Sequence, residues 1–190
     1  MKVGLYFGSF NPVHIGHCII ANYIRNETGV DSVWFIVSPQ NPFKKSGSLL
    51  NEYDRLHLVQ KAIENDGGIK ASDVEFQLEK PSYTSYTLGH LTEKYPTYSF
   101  SIIMGSDSYQ NIDKWRNADF IRKNFDLYVY LRPGFDLEDA VKERVYILKK
   151  APLLEISATQ IRQYIKDKKS IRYLVPEGVR EEIERNGYYK

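Results

Sequence analysis

Apolar residues fall along this chain in two alternating rhythms. Short apolar runs, several of them nearly continuous, occupy residues 2–7, 33–37, 69–74, 98–104, 125–131 and 145–148. Runs of that length suit strands buried on both faces, as in a parallel sheet. Between them the apolar positions spread to helical spacing. Residues 16–27 carry Ile20 and Ile24 one turn apart and end before Gly29. Residues 52–64 carry Leu56, Val59 and Ile63, with Asn51 as a cap and Gly67-Gly68 beyond. A helix over 85–95 stops at Pro96, and a short one is expected over 118–124. Past Ala151 the pattern turns helical. One helix starts near Ser157, and another follows Pro176 and stops at Gly187.

Strand–helix alternation predicts an α/β fold: a doubly wound, Rossmann-like parallel sheet with a small helical C-terminal part over about 151–190, all within one domain, 1–190. Such sheets bind ligands in the crevice beyond the carboxyl ends of their strands. The unusual residues gather there: 8–17 after the first strand, 38–45 after the second, 105–115 after the fourth and 132–134 after the fifth.

Composition narrows the class. With 42% hydrophobic and 26% charged residues in 190, the chain is an ordinary globular protein long enough to bury a core without staples. A formal net charge of +2 gives no reason to expect a nucleic-acid or membrane partner. The run Lys166-Asp167-Lys168-Lys169 reads as a solvated helix end. Residues 3–24 hold no Asp, Glu, Lys or Arg, but Gly8, Asn11, Pro12, His14, Gly16 and His17 interrupt them, so a strand, a loop and a helix are expected rather than a membrane span. No signal-peptide pattern is present, and the single Cys18 excludes an intramolecular disulfide. A cytoplasmic location is expected. A homo-oligomer is compatible with the sequence.

The densest chemistry is Gly8-Ser9-Phe10-Asn11-Pro12-Val13-His14-Ile15-Gly16-His17, between the first strand and the first helix. Gly8 and Gly16 permit close backbone approach to a ligand, and the N–H groups of the helix start favour an anion. His14 and His17, three residues apart, can point at that same anion as hydrogen-bond donors. A metal site would want a third ligand nearby, and the segment offers no Cys, Asp or Glu. No protein-held metal is therefore expected.

This segment resembles the (H/T)xGH-type signature of the nucleotidyltransferase superfamily of adenylyl- and cytidylyltransferases. A second signature is then expected near the carboxyl end. Ile156-Ser157-Ala158-Thr159-Gln160-Ile161-Arg162 resembles the superfamily's ISSTxIR motif, with Ala158 where Ser is usual. On its own chemistry, Ser157 with Gln160 has capping-box spacing, and Arg162 one turn in can reach back with a charged fork. An ordinary capped helix with a surface Arg would look the same; the pairing with the first motif favours the phosphate reading.

Further segments resemble the nicotinate mononucleotide adenylyltransferase family in particular. Pro39-Gln40-Asn41-Pro42-Phe43-Lys44-Lys45 lies where that family has a Pro-His-Lys element; Phe43 replaces the His and Lys44 falls on the Lys. Ser82-Tyr83-Thr84-Ser85-Tyr86-Thr87-Leu88 is similar to its SYTxxTL stretch, Gly105, Asp107 and Trp115 to its GxDxxxxxxxW pattern, and Arg132-Pro133-Gly134 to its RPG. With Pro176 and Tyr188 the resemblance covers residues 3–188.

The resemblance implies ATP and nicotinate mononucleotide as substrates, with Mg²⁺ bound through the ATP phosphates. It implies His17, His14, Lys44 and Arg162 as catalytic residues. Gly8, Ser9, Phe10, Tyr83, Thr84, Gly105, Asp107, Trp115, Arg132, Ile156, Ser157 and Thr159 are implied as substrate-binding. The residues themselves fit. Trp115, in a polar loop with little core to fill, suits stacking on a pyridine ring. The helix start at Thr84 and the cation of Arg116 suit a carboxylate. On chemistry alone Asp107 serves equally as a ribose acceptor or as a cap for the helix after Gly105; the resemblance favours the ribose. Asp113 and Asp119 flank Trp115, and an acid-binding site requires their side chains to point away.

Overall fold

The computed structural model describes residues 1–40, 49–137 and 143–190. Six strands form one parallel sheet: β1 (Lys2–Gly8), β2 (Ser32–Val37), β3 (Ile69–Ser72), β4 (Ser99–Gly105), β5 (Asp126–Tyr130) and β6 (Val145–Leu148), in the order β3-β2-β1-β4-β5-β6. The helices are α1 (Ile15–Glu27), α2 (Glu52–Ile63), α3 (Thr84–Lys94), the single turn α4 (Ser106–Tyr109), α5 (Ala118–Asn124), α6 (Ala158–Lys166) and α7 (Glu177–Asn186).

The apolar runs explain the layering. All six residues of β2 are buried, and they alternate between two cores. Val33, Phe35 and Val37 join α1, α2, α6 and α7 through Ile20, Ile24, Leu58, Ile161 and Ile183. Trp34 and Ile36 join α3 and α5 through Leu88, Leu91 and Ile121 on the opposite face. Side chains of successive strand residues point to opposite faces, so a strand covered on both sides must be apolar throughout. The helical C-terminal part contributes Ile171, Val175 and Val179 to the first core as well.

The sheet fixes the position of the site. From central β1 the chain runs outward through β2 and β3, then returns to β4 on the other side of β1. The switch point therefore lies between β1 and β4, whose carboxyl ends are Gly8 and Gly105. Residues 3–24 are a strand, a loop and a helix, and among the described residues no helix is long and apolar enough to cross a membrane.

Some boundaries differ from the sequence expectation. The third strand ends at Ser72 rather than residue 74, because the Ser72 hydroxyl accepts from the Val74 N–H at 3.3 Å and turns the chain into a 3₁₀ turn, Val74–Gln77. Helix α1 starts at Ile15, so His14 is its cap rather than a member of it. Ser157 does cap α6, accepting from the Gln160 N–H at 3.2 Å, but Gln160 reaches forward to the Tyr164 hydroxyl, also at 3.2 Å. Only half of the capping box forms.

Candidate active site

A cleft of about 460 Å³ opens over the carboxyl ends of β1 and β4, large enough for a nucleotide-sized ligand. It is built from the β1–α1 loop, the starts of α3 and α6, the segment after β4 and the end of β5. At the start of α1 the rings of His14 and His17 stack 3.7 Å apart. The His14 backbone N–H donates to His17 Nδ1 at 3.2 Å, which leaves Nε2 as the ring nitrogen that carries the proton. His17 also packs edge-on against Tyr6 and Phe10. His14 is buried, and its Nδ1 has no hydrogen-bond partner among the described residues. Burial first, and then the Arg132 guanidinium, push its pKa down to about 4. The ring is therefore neutral near pH 7. A Cβ on Gly16 would lie 3.1 Å from His14 Nδ1, so the glycine makes room for that ring.

Gly8 and Phe10 serve differently from the sequence expectation. The space beside Gly8 is taken by the Phe10 ring, and a Cβ there would lie 2.9 Å from Phe10 Cζ. Phe10 is 3% exposed, stacks on Phe35 at 5.2 Å and adopts φ 45°. Its side chain is core, so a ligand would meet this residue at its backbone. Ser9 is buried too, and its carbonyl accepts from Arg55 at 2.5 Å.

Arg162 lies across from the histidines. Its Nη1 donates to the Asn11 carbonyl at 2.7 Å and its Nη2 to Thr159 Oγ1 at 3.3 Å. The second motif is thereby tied to the first across 151 residues of sequence. Ser157 and Thr159 line the cleft with it. Ile156 does not; it faces an adjoining small hollow shared with His14, His17 and Arg132. Opposite, Arg132 Nη1 meets Asp107 Oδ2 at 3.4 Å, and the Arg132 N–H is held by the Ser106 hydroxyl at 2.9 Å. Asp107 makes an ion pair rather than a helix cap. Gly105 leaves room for that pair, since a Cβ there would lie 2.4 Å from Asp107 Oδ1.

Tyr83, Thr84 and Trp115 line the far end. Trp115 has more packing than its polar loop suggested: it is half-buried against the second core. The Arg116 guanidinium lies over the Tyr83 ring at 4.9 Å and the Tyr86 ring at 5.0 Å. Asp113 and Asp119 both pair with Arg122; they do not line the cleft but an adjoining hollow that Trp115 also borders. Phe43, Lys44 and Lys45 lie outside the described residues.

Several residues in and behind the cleft were not foreseen. Tyr6 and Tyr130 join hydroxyls at 2.8 Å below His17, and burial foremost holds both phenols neutral. Arg55 is fully buried and donates to four carbonyls, those of Ser9, Ser38, Pro39 and Leu50. Its sequence signal was a charge one turn before Leu58 and Val59 on the apolar face of α2. Glu75 lines the floor with 1% exposure. Among the described residues no group of three or more His, Cys, Asp or Glu gathers in a form that could hold a metal ion.

Fold and cleft together define a nucleotidyltransferase, and residues 5–164 match the cytidylyltransferase-like family model. A protein of Cytophaga hutchinsonii named "Probable nicotinate-nucleotide adenylyltransferase" is 50% identical over 189 residues, covering 100% of this chain and 98% of that one. One of Flavobacterium psychrophilum with the same name is 47% identical over 193 residues, covering 100% of both chains. Among solved structures, Plasmodium falciparum nicotinic acid mononucleotide adenylyltransferase complexed with NaAD superposes with a TM-score of 0.85, 19% identity and coverage of 99% of this chain and 97% of that one, a likeness of fold. The chain belongs to the nicotinate-nucleotide adenylyltransferase family, a family of enzymes.

Proposed function

We propose that this protein transfers the adenylyl group of ATP to nicotinate mononucleotide, giving deamido-NAD and pyrophosphate. The observation that carries the reading is the convergence of His14, His17, Arg132 and Arg162 on one cleft at the start of α1, in a chain whose relatives bear that enzyme's name.

The nucleophile is a phosphate oxygen of the mononucleotide, already anionic at neutral pH. It forms a bond to the α-phosphorus as the bond to pyrophosphate breaks, and the electron pair leaves with pyrophosphate. No general base and no covalent enzyme intermediate are required. Catalysis is positioning and charge stabilisation. His17 donates from Nε2 to the α-phosphate. His14, Lys44, Ser157, Thr159 and Arg162 hold the remaining phosphates, with the backbone of Gly8, Ser9 and Phe10 and the N–H groups of α1 beneath them. Gly105, Asp107 and Arg132 take the adenosine side. Asp107 accepts from ribose hydroxyls, with Arg132 orienting it. Tyr83, Thr84 and Trp115 hold the acceptor ring. Mg²⁺ would come with ATP, bound through its phosphates, and would supply neutralising charge. The protein works in the cytoplasm, as one domain.

Arg162 gives a first test. Its two nitrogens are spread between Asn11 and Thr159. Lysine keeps the charge but not the planar fork. Arg162→Lys is expected to lower kcat/KM for ATP at least about tenfold, near the worth of one charge-assisted hydrogen bond. Wild-type kinetics in that variant would make Arg162 a point charge or a bystander.

Acceptor choice follows from charge. Nicotinate differs from nicotinamide by a carboxylate in place of a neutral amide. The far end offers the α3 N–H groups and Arg116, while Asp113 and Asp119 are paired with Arg122 outside the cleft. Nicotinate mononucleotide is expected to exceed the amide at least about tenfold in kcat/KM. Trp115→Ala is expected to weaken both acceptors alike, because stacking does not read the carboxylate. Equal kcat/KM for the two in the wild type would remove the nicotinate assignment and leave adenylyl transfer standing.

A further inference from the structure

Glu75 stands in the floor of the cleft near the acceptor end, on the 3₁₀ turn between β3 and α3. Thr87 Oγ1 of α3 donates to its Oε1 at 2.8 Å. Its Oε2 is buried and makes no hydrogen bond among the described residues; the buried hydroxyls of Ser82 and Ser85, at the entrance to α3, make none either. Ser38, just past the end of β2, and Ser82 face the carboxyl closely enough to favour its charged form, although the Ser82 hydroxyl makes no regular hydrogen bond among the described residues. Burial outweighs them and raises its pKa. Among the described residues no cation compensates. Arg55 of α2 spends its guanidinium on four carbonyls, and Arg116 lies over Tyr83 and Tyr86. Among the described residues the other titratable groups at this end are the phenols of Tyr83 and Tyr86. A carboxylate buried without a cation is costly, and such a group takes up a proton instead.

This has a consequence for the acceptor. A neutral carboxyl in the floor does not oppose a second carboxylate entering above it, whereas an ionised one repels it and leaves a neutral amide unaffected. We propose that Glu75 is the acceptor-selectivity switch of this cleft: with a proton on Oε2 the floor admits an acid, and without it the floor disfavours the acid relative to the amide. The inference rests on the nicotinate reading above and adds to it a residue and a pH dependence.

The test is the ratio of kcat/KM for nicotinate mononucleotide to that for nicotinamide mononucleotide, measured with ATP from about pH 5 to about pH 9, a range that spans the pKa values of buried glutamates. The acceptor phosphate titrates alike in both substrates and cancels in the ratio. In the wild type the ratio is expected to fall at least about tenfold as pH rises and Glu75 ionises. Glu75→Gln, which cannot ionise, is expected to keep the acid preference and give a flat profile. Ser82→Ala removes a hydroxyl that favours the charged form, so its fall is expected at higher pH. A flat wild-type ratio, or a Glu75→Gln profile that falls with the wild type, overturns the proposal. If Glu75→Gln does not fold, an unshifted profile in Ser82→Ala overturns it. A wild type that turns over neither mononucleotide at any pH overturns the functional reading as well; turnover with a flat ratio overturns only the role of Glu75.

Discussion

His17→Ala is expected to lower kcat at least about 100-fold while leaving the KM values for ATP and acceptor near those of the wild type, the pattern of a contact made in the transition state. The structure explains why no neighbour substitutes. The His14 N–H holds Nδ1 of His17, so the proton is fixed on Nε2. The ring is clamped between His14 at 3.7 Å and the edges of Phe10 and Tyr6 at 5.0 and 5.8 Å. That donor needs no reorganisation as charge builds on the α-phosphate, and preorganised donors of this kind contribute the most to such reactions. His14 is neutral near pH 7, with its Nδ1 buried and unpartnered among the described residues, and in the proposed arrangement it is engaged with the other phosphates. Steady-state kinetics on the purified, folded variant make the check. A kcat within a few-fold of the wild type would reassign His17 to packing.

Arg55→Met is expected to cost at least about 3 kcal/mol of stability, because removing the guanidinium leaves buried carbonyls without donors. Four carbonyls depend on this one side chain, at distances from 2.5 to 3.1 Å. Ser9 lies in the loop of the first motif, and Ser38 and Pro39 start the loop after β2, so one buried cation fixes both phosphate-side loops to α2. Burial lowers its pKa, yet the group stays charged, as guanidinium does in proteins. Arg55→Lys retains charge but cannot span all four acceptors, and it is expected to recover only part of the loss. For a chain of this size, 3 kcal/mol corresponds to a fall in Tm of about 6–12 °C. Thermal unfolding within about 2 °C of the wild type would show that the carbonyls find water instead.

The fold was largely legible because its rules are local. Six apolar runs predicted six strands, and all six form, but burial on both faces holds only for the central β1, β2 and β4; β5 alternates, and the edge strands β3 and β6 are partly exposed. The site was legible where a motif is contiguous. His14 and His17 share a loop, and Ser157 and Arg162 share a helix start. What the sequence hid depends on distant segments meeting. Tyr6 and Tyr130 are 124 residues apart and read as ordinary strand residues until the switch point brings their hydroxyls together. Glu75 fell one residue beyond an expected strand; the turn set by Ser72 swings it into the cleft floor. Gly8 was legible as a position needing no side chain, but not for whose benefit: the space went to Phe10, two residues on.

Adenylyl transfer to nicotinate mononucleotide is tested most directly by an acceptor panel. The purified protein, ATP and Mg²⁺ are incubated separately with nicotinate mononucleotide, nicotinamide mononucleotide, phosphopantetheine and flavin mononucleotide, and pyrophosphate and the adenylylated product are measured together. The expected result is stoichiometric deamido-NAD and pyrophosphate with nicotinate mononucleotide, a slower reaction with the amide, and none with the other two, which have no use for Tyr83, Thr84 and Trp115. Pyrophosphate release with phosphopantetheine or flavin mononucleotide but not with nicotinate mononucleotide would contradict it, and so would ATP binding without pyrophosphate release from any acceptor.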